Sequence, residues 1–384
     1  MEIRTTKYLG MRNGKPVTKT IRAHSEEELE EKFKKAKKEF NMSSDLANLE
    51  KLGDWADEWL KYKRQSGISD GTMDQYTSAV SHLKRYFGNE KITKIKNKAV
   101  QNMIFELAQN NPNTNKPTSK STLYSIKKTL KMILKFAKKN EKEGIDLIVA
   151  DVDIPKDSPV KKRNALSYEE QLMIINTPHR AQLPAMIVLF SGIRRSALFA
   201  LKWEDVNLEK SYIIVHSFAV FNKETHKMKV KDIGKTEAAE RYVEIPPILV
   251  DFLKDYKKSN TITSEYVFPN TSGGIHTPSS FRSLWDSYML DLNVKYGYDG
   301  KISKYNPEII PMRIRRFTSH YLRHTFATML YLEGIDIETA KRMMGHESYR
   351  LTSDIYVDAQ KNHITICDEY KKRLQTDFKI DVHS

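Results

Sequence analysis

Four apolar stripes at helical spacing follow one another between Leu52 and Ala137, and they limit what this chain can fold into more than any other feature of it. The first is Leu52, Trp55, Trp59 and Leu60; the second is Tyr76, Ala79, Val80, Leu83, Tyr86 and Phe87. The third is Val100, Met103, Ile104 and Leu107, and the fourth is Leu123, Ile126, Leu130, Ile133, Leu134 and Ala137. Residues three and four apart share one face of a helix, so each stripe has to be buried against another. A Gly-Ile-Ser-Asp-Gly break at 67–71 and a polar stretch from Asn110 to Ser119, with two prolines, separate the helices. Residues 46–150 therefore read as a helical domain, with the aromatic and aliphatic side chains as its core and not as a cofactor box.

The flanking regions read differently. In 1–45, Glu2 to Leu9 and Pro16 to Arg22 are strand-like around an Asn13-Gly14 turn signal. Ser25 then caps a helix, with Glu28 as its box partner, that runs from glutamates to lysines and so suits the helix dipole. This small unit could lay Arg4, Lys7, Arg12, Lys15, Lys19 and Arg22 along a groove, or be a solvated cap. Residues 151–165, with two prolines and then Lys161-Lys162-Arg163, read as a linker. From 166 to 370 the pattern is mixed. Ser167 caps a helix with Glu170, Leu183 to Phe190 is an apolar helix, and a short helix follows Ile193 and reaches Leu201. Tyr212–His216, Met228–Val230 and Tyr242–Ile245 are expected to form one three-stranded sheet, with Lys235-Thr236 in the turn before its last strand. Helices are expected at Pro247–Lys257, Ser279–Asn293, Ser319–Glu333 and Ile337–Met344, the last two closed by Gly334 and Gly345. Residues 371–384 are left as a tail. The fold class is mainly α with small β elements (α+β): an N-terminal β-hairpin or three-stranded unit, a helical domain, and a mixed domain with a small antiparallel sheet.

Charge narrows the partners. The 384 residues carry 64 Lys and Arg against 49 Asp and Glu, a formal net charge of +15. A polyanion is the natural partner, although charge alone does not separate DNA from RNA or an anionic membrane. No run of about 18 apolar residues occurs, and Met1-Glu2-Ile3-Arg4 opens no secretory h-region, so neither a spanning helix nor export is expected. The single Cys367 excludes an internal disulfide framework and a Cys-based zinc finger, and fits a reducing cytoplasm. Lys127, Lys131, Lys135 and Lys138 fall at steps of four, four and three, so they line one helix face, either for phosphate contacts or as an ordinary solvated surface. Lys161, Lys162 and Arg163 would cross a DNA backbone if the two larger domains clamp a duplex, or are incidental linker charge.

The chemistry-bearing residues lie near the C-terminus. In Thr318-Ser319-His320-Tyr321-Leu322-Arg323-His324, His320 and Arg323 stand one turn apart at the start of a helix, where free N–H groups already favour an anion. His324 points the same way but deeper. His320, His324 and His346 could instead suggest a metal. The His-x-x-x-His spacing lacks the zincin glutamate, however, and an arginine beside a divalent cation is unfavourable.

Four blocks, in order, carry a resemblance: Ser-Gly-Ile-Arg-Arg-Ser from 191, Lys-Thr-Glu-Ala-Ala-Glu-Arg from 235, His-Tyr-Leu-Arg-His-Thr-Phe-Ala from 320, and Met-Gly-His-Glu-Ser from 344 followed by Asp-Ile-Tyr at 354–356. The sequence resembles a tyrosine recombinase of the phage-integrase type, strongly over about 160–370. Residues 46–150 resemble that family's core-site-binding domain, and 1–45 more weakly its arm-site-binding domain. The resemblance implies that Arg194 and Arg323 hold the non-bridging oxygens of a phosphodiester, that Tyr356 is the nucleophile, and that His320 helps activate it. It further implies that Lys235 protonates the 5′-hydroxyl leaving group and that His346 hydrogen-bonds the phosphate. No metal, ATP or other cofactor is needed. The implied partners are double-stranded DNA attachment sites and three further copies in a homotetramer on DNA. Accessory DNA-bending or excision-directionality proteins are also compatible; a membrane is not implied, and the bacterial nucleoid is the implied location. Two departures stand out. Ala197 occupies a place that is usually acidic, and Arg195 directly follows Arg194 and competes with it for the assignment. Ile364, Ile366 and Leu374 would dock on a neighbouring protomer or pack in cis. A type IB topoisomerase and a catalytically silent DNA-binding regulator are the rival readings.

Overall fold

The computed structural model describes residues 3–12, 15–47, 49–140, 142–160, 164–222, 225–232, 241–299, 310–345 and 352–357, with the side chains of 10–16 and 37–47 left aside. Outside the described residues lie Asn13-Gly14, Lys161, Lys162, Arg163, Lys235-Thr236, His346, Ile364, Ile366, Cys367 and Leu374, as do the side chains of Arg12 and Lys15. The chain divides into two compact units, Met1–Lys161 and Lys162–Ser384.

The first unit begins with a two-stranded hairpin, β1 (Ile3–Arg12) and β2 (Lys15–Ala23), antiparallel in the register Arg4↔Arg22 and Lys7↔Lys19, with an irregularity at Tyr8/Gly10. The alternation is clear: Leu9 and Ile21 pack with Ala36, Leu29 and Phe33 of helix α1 (Glu26–Ala47), whereas Arg4, Thr6, Tyr8 and Arg22 stay exposed. Ser25 accepts from Glu28 N at 3.2 Å, and the Glu28 carboxylate accepts from His24 N at 2.7 Å, so the cap closes one residue earlier than a standard box.

The four apolar stripes form α2 (Leu52–Gln65), α3 (Asp70–Phe87), α4 (Asn97–Gln109) and α5 (Lys120–Lys139). Helix α5 touches each of the other three, and Trp55, Trp59, Leu83, Ile104, Leu123 and Ile126 are sealed in the core between them. After a 3₁₀ turn at Leu147–Ala150 the chain does not leave the bundle at once. Asn97 donates to the carbonyls of Ile148 and Asp151, and Gln101 and Asp153 exchange two hydrogen bonds at 3.0 and 2.8 Å.

The second unit is built on α6 (Tyr168–Ile175), α7 (Gln182–Ser191) and α8 (Arg195–Ala200). It continues through β3 (Val206–Asn207), β4 (Tyr212–Val215), β5 (Ser217–Asn222), β6 (Lys227–Asp232) and β7 (Arg241–Glu244). Helices α9 (Pro247–Ser259), α10 (Pro278–Tyr296), α11 (Ser319–Leu332) and α12 (Ile337–Met344) follow, then a last helical turn at 352–357. Ser167 and Glu170 make the reciprocal capping box of α6. The sheet corrects the expectation from sequence. Its strands are β3-β4-β7, and Met228–Val230 belongs instead to a separate antiparallel ribbon with β5. The physical reason lies in where the core ends. Ile213, Val215 and Val243 are buried, while β6 (Lys-Met-Lys-Val-Lys-Asp) has too little apolar surface to enter a core, so it folds back on β5. Among the described residues no helix is long and apolar enough to cross a membrane.

Candidate active site

Every residue of α7, Gln182 to Ser191, is buried, so this helix lies within the second unit's core, against α11. It stops at Gly192, where φ is +60°. A Cβ there would collide with the Phe326 ring and come within 2.9 Å of the Met344 sulfur, so both the backbone angle and the space demand glycine. The turn buries Ile193 and places Arg194, in extended conformation, as the exposed N-cap of α8.

Arg323 comes from the first half of α11 and is only 7% exposed. Its Nη1 donates to the Gly192 carbonyl and its Nη2 to the Met344 carbonyl at 2.5 Å. One guanidinium thus fastens the end of α7 to the end of α12, and two of its five donors are used in doing so. The base of α11 is fixed independently: Trp285 Nε1 donates to Phe317 O at 2.9 Å, and the Thr325 hydroxyl accepts from Leu166 N at 2.8 Å.

A third arginine, which the sequence reading did not single out, joins these two. Arg241 is the first residue of β7, and its guanidinium lies over Gly345, the left-handed C-cap of α12 (φ +61°). Burial, then the charges of Arg194 and Arg241, push Arg323 down to about 9; burial, then Arg194, pushes Arg241 down to about 10. Guanidinium groups stay charged in proteins. These pressures therefore amount to a concentration of positive charge that favours an anion. The only sequence signal for Arg241 was its place at the end of the Lys-Thr-Glu-Ala-Ala-Glu-Arg block.

Of the two consecutive arginines, Arg195 is turned elsewhere: its guanidinium carbon lies 5.8 Å over the Phe281 ring of α10. Ala197 is buried inside α8, so no carboxylate is presented from that position. His320 is exposed on the first turn of α11, one turn before Arg323; His324 is half-buried and so deeper than His320, but Arg323, expected to be shallower than His324, is deeper than either.

Tyr356 is not with the arginines. Its hydroxyl donates to the Ile335 carbonyl at 3.0 Å, and its ring lies 4.9 Å from that of Tyr331. Tyr331 is eight residues beyond Arg323 on α11, about 12 Å along the axis at 1.5 Å per residue. Burial, then the Asp336 carboxylate, push the Tyr356 phenol up to about 12, so it is protonated at neutral pH. Lys235 and His346 lie outside the described residues, and among the described ones no group of His, Cys, Asp or Glu could hold a metal ion.

The lysine face of α5 is divided. Lys127 donates to the Val152 carbonyl at 2.6 Å and Lys131 pairs with Asp151 at 3.0 Å, whereas Lys135 and Lys138 are exposed. A basic row not read from sequence lies on β6, where Lys227, Lys229 and Lys231 alternate with half-buried Met228 and Val230.

The profile of the Phage integrase family matches residues 164–363, and that of the phage integrase N-terminal SAM-like domain matches 51–108. The tyrosine recombinase XerA of Thermococcus kodakarensis is 28% identical over 237 residues, covering 61% of this chain and 71% of that protein. The integrase of Staphylococcus phage L54a is 24% identical over 371 residues, covering 85% of this chain and 94% of its own. Among solved structures, the Tn1549 transposon integrase in complex with a circular intermediate DNA superposes with a TM-score of 0.62 at 15% identity, over 83% of this chain and 100% of that one.

Proposed function

The chain belongs to the phage integrase family and is a site-specific DNA recombinase, and on that premise we propose that Tyr356 is its nucleophile and that Arg194 and Arg323 hold the phosphate it attacks. The observation that carries this reading is the arginine cluster itself. Arg323 is buried, locked by two carbonyls and beside Arg194, and the charges acting on it come from arginines. A tetrahedral phosphate with developing negative charge is the ligand that such preorganised forks suit best.

In the proposed reaction the Tyr356 oxygen attacks phosphorus. The new Tyr–O–P bond forms as the bond from phosphorus to the 5′-oxygen breaks. The phenol proton is lost with the help of His320, Lys235 protonates the departing 5′-oxygen, and His346 hydrogen-bonds the phosphate. The 3′-phosphotyrosyl bond keeps the phosphodiester's energy, so a 5′-hydroxyl from the partner strand reverses the bond changes without ATP. Because the Tyr356 hydroxyl is held by Ile335, the 352–357 turn has to release it before attack.

The partners are double-stranded attachment sites, bound by a homotetramer. A role in integrating and excising a phage genome or other mobile element, at the bacterial nucleoid, follows from the same reading. Residues 46–150 would bind the core site through exposed Lys135 and Lys138, with Lys161, Lys162 and Arg163 on the backbone beyond them. Residues 1–45 would bind arm sites through the exposed hairpin face with Arg4, Tyr8 and Arg22, and 166–370 would carry the chemistry. A nicked attachment-site duplex tests the assignment. Wild type is expected to give a denaturant-stable adduct, and Tyr356→Phe to bind the duplex without forming one. A persistent adduct in Tyr356→Phe overturns it.

A further inference from the structure

Buried Arg323 and half-buried Arg241 both lie at the end of α12, but they use their donors in opposite ways. Arg323 spends two N–H groups on the carbonyls of Gly192 and Met344. Arg241 spends none that way. Its Nη1 lies against Gly345, and a Cβ on that glycine would come within 2.6 Å of the guanidinium carbon. Its Nε and Nη2 are closed to solvent and have no hydrogen-bond partner among the described residues. Those two nitrogens share one edge of the guanidinium, the edge that binds two oxygens of a phosphate side by side. Buried donors left unpaired are costly, and buried charges are normally paired. Here the charged neighbour acting on Arg241 is Arg194, which adds repulsion.

The backbone makes this placement rigid. Arg241 pairs with Val215 in the β4–β7 ladder, and β7 contacts α12 directly. The ladder therefore fixes the backbone from which the guanidinium reaches the end of α12.

We propose that Arg241 is a third phosphate-holding residue of this site, its Nε and Nη2 edge, closed to solvent in the resting protein, being uncovered as the phosphate enters and taking oxygens of the phosphate that Arg194 and Arg323 also hold. The proposal rests on the assignment of Arg194 and Arg323 as phosphate ligands, and explains why a fixed strand residue keeps a costly unpaired edge. A purely structural arginine would make the opposite pattern: its hydrogen bonds would be complete without DNA.

Arg241→Met and Arg241→Lys in the full chain test it in two ways. On the nicked attachment-site duplex, Arg241→Met is expected to slow adduct formation by about 100-fold, the scale of losing one donor to a developing oxyanion, with Lys restoring part of the rate. With an uncharged methylphosphonate at the scissile position, Arg241→Met should react at close to the wild-type rate, because the charge it neutralises is gone. Equal slowing on both duplexes would show a merely structural role and overturn the proposal. Without DNA, inorganic phosphate at constant ionic strength should raise the melting temperature of wild type, and at least half of that shift should vanish in Arg241→Met. An undiminished shift overturns the proposal. If wild type forms no adduct at all, the recombination chemistry assigned above fails, while the phosphate shift still decides the role of Arg241.

Discussion

At the scale of single residues, the site depends on two glycines as much as on its charges. Gly192 combines φ of +60° with a Cβ position already occupied by Phe326 and Met344. Gly192→Ala is expected to cost about 3 kcal/mol, from backbone strain and overpacking together, measured by chemical denaturation, and to abolish adduct formation because Arg194 and Arg323 both flank that turn. Tyr356 gives a pH prediction with a definite sign. Its phenol is raised to about 12 in the folded protein, against about 10 when exposed. The folded state holds the proton longer, so the associated stability is complete below about pH 10 and is lost as pH rises towards 12. Tyr86 and Tyr288 are raised as well, so the measurement is the difference between wild type and Tyr356→Phe: the mutant's stability should fall less steeply in that window. Arg194, His320, Arg323 and Tyr356 are assigned from local motifs. Arg241 could not be, because no spacing rule says which strand residue will meet a glycine 104 positions later, and burial depth along α11 depended on contacts with α7.

At the scale of elements, helices were the most legible because a 3.6-residue stripe specifies both the element and the face it buries. Strand pairing was not. Alternation marks Tyr212–His216, Met228–Val230 and Tyr242–Ile245 equally, but says nothing about partners, and the strand Ser217–Asn222 that pairs with β6 has no such signal of its own. The lysine face of α5 shows the same limit: its spacing was plain, but the docking of 151–153 on two of its lysines was not. This yields a contrast to measure. Lys135→Ala and Lys138→Ala should each reduce the salt dependence of DNA binding by about one unit in log K against log salt. Lys127→Ala should leave that slope unchanged and lower the melting temperature instead, because its ammonium caps the Val152 carbonyl. If the β5–β6 ribbon also follows the backbone, replacing Lys227, Lys229 and Lys231 together should reduce that slope by about three units.

At the scale of the whole molecule, a net charge of +15 is carried by two units that use it differently. The first spreads lysines over a helix and a hairpin, which suits many weak phosphate contacts. The second concentrates arginines around the junction of α7, α11, α12 and β7, which suits one phosphate held firmly. The resting protein keeps its proposed nucleophile protonated and hydrogen-bonded at the far end of α11. Recombination on this account is therefore gated by release of the 352–357 turn, and the chemistry waits for the phosphate to reach the arginines. The most direct test is the position of the covalent bond. After reaction with an end-labelled nicked attachment-site duplex and trypsin digestion, the label should sit on the peptide from Leu351 to Lys361, whose one tyrosine is Tyr356. Label on the neighbouring peptide from Met343 to Arg350, which carries Tyr349, would contradict the account.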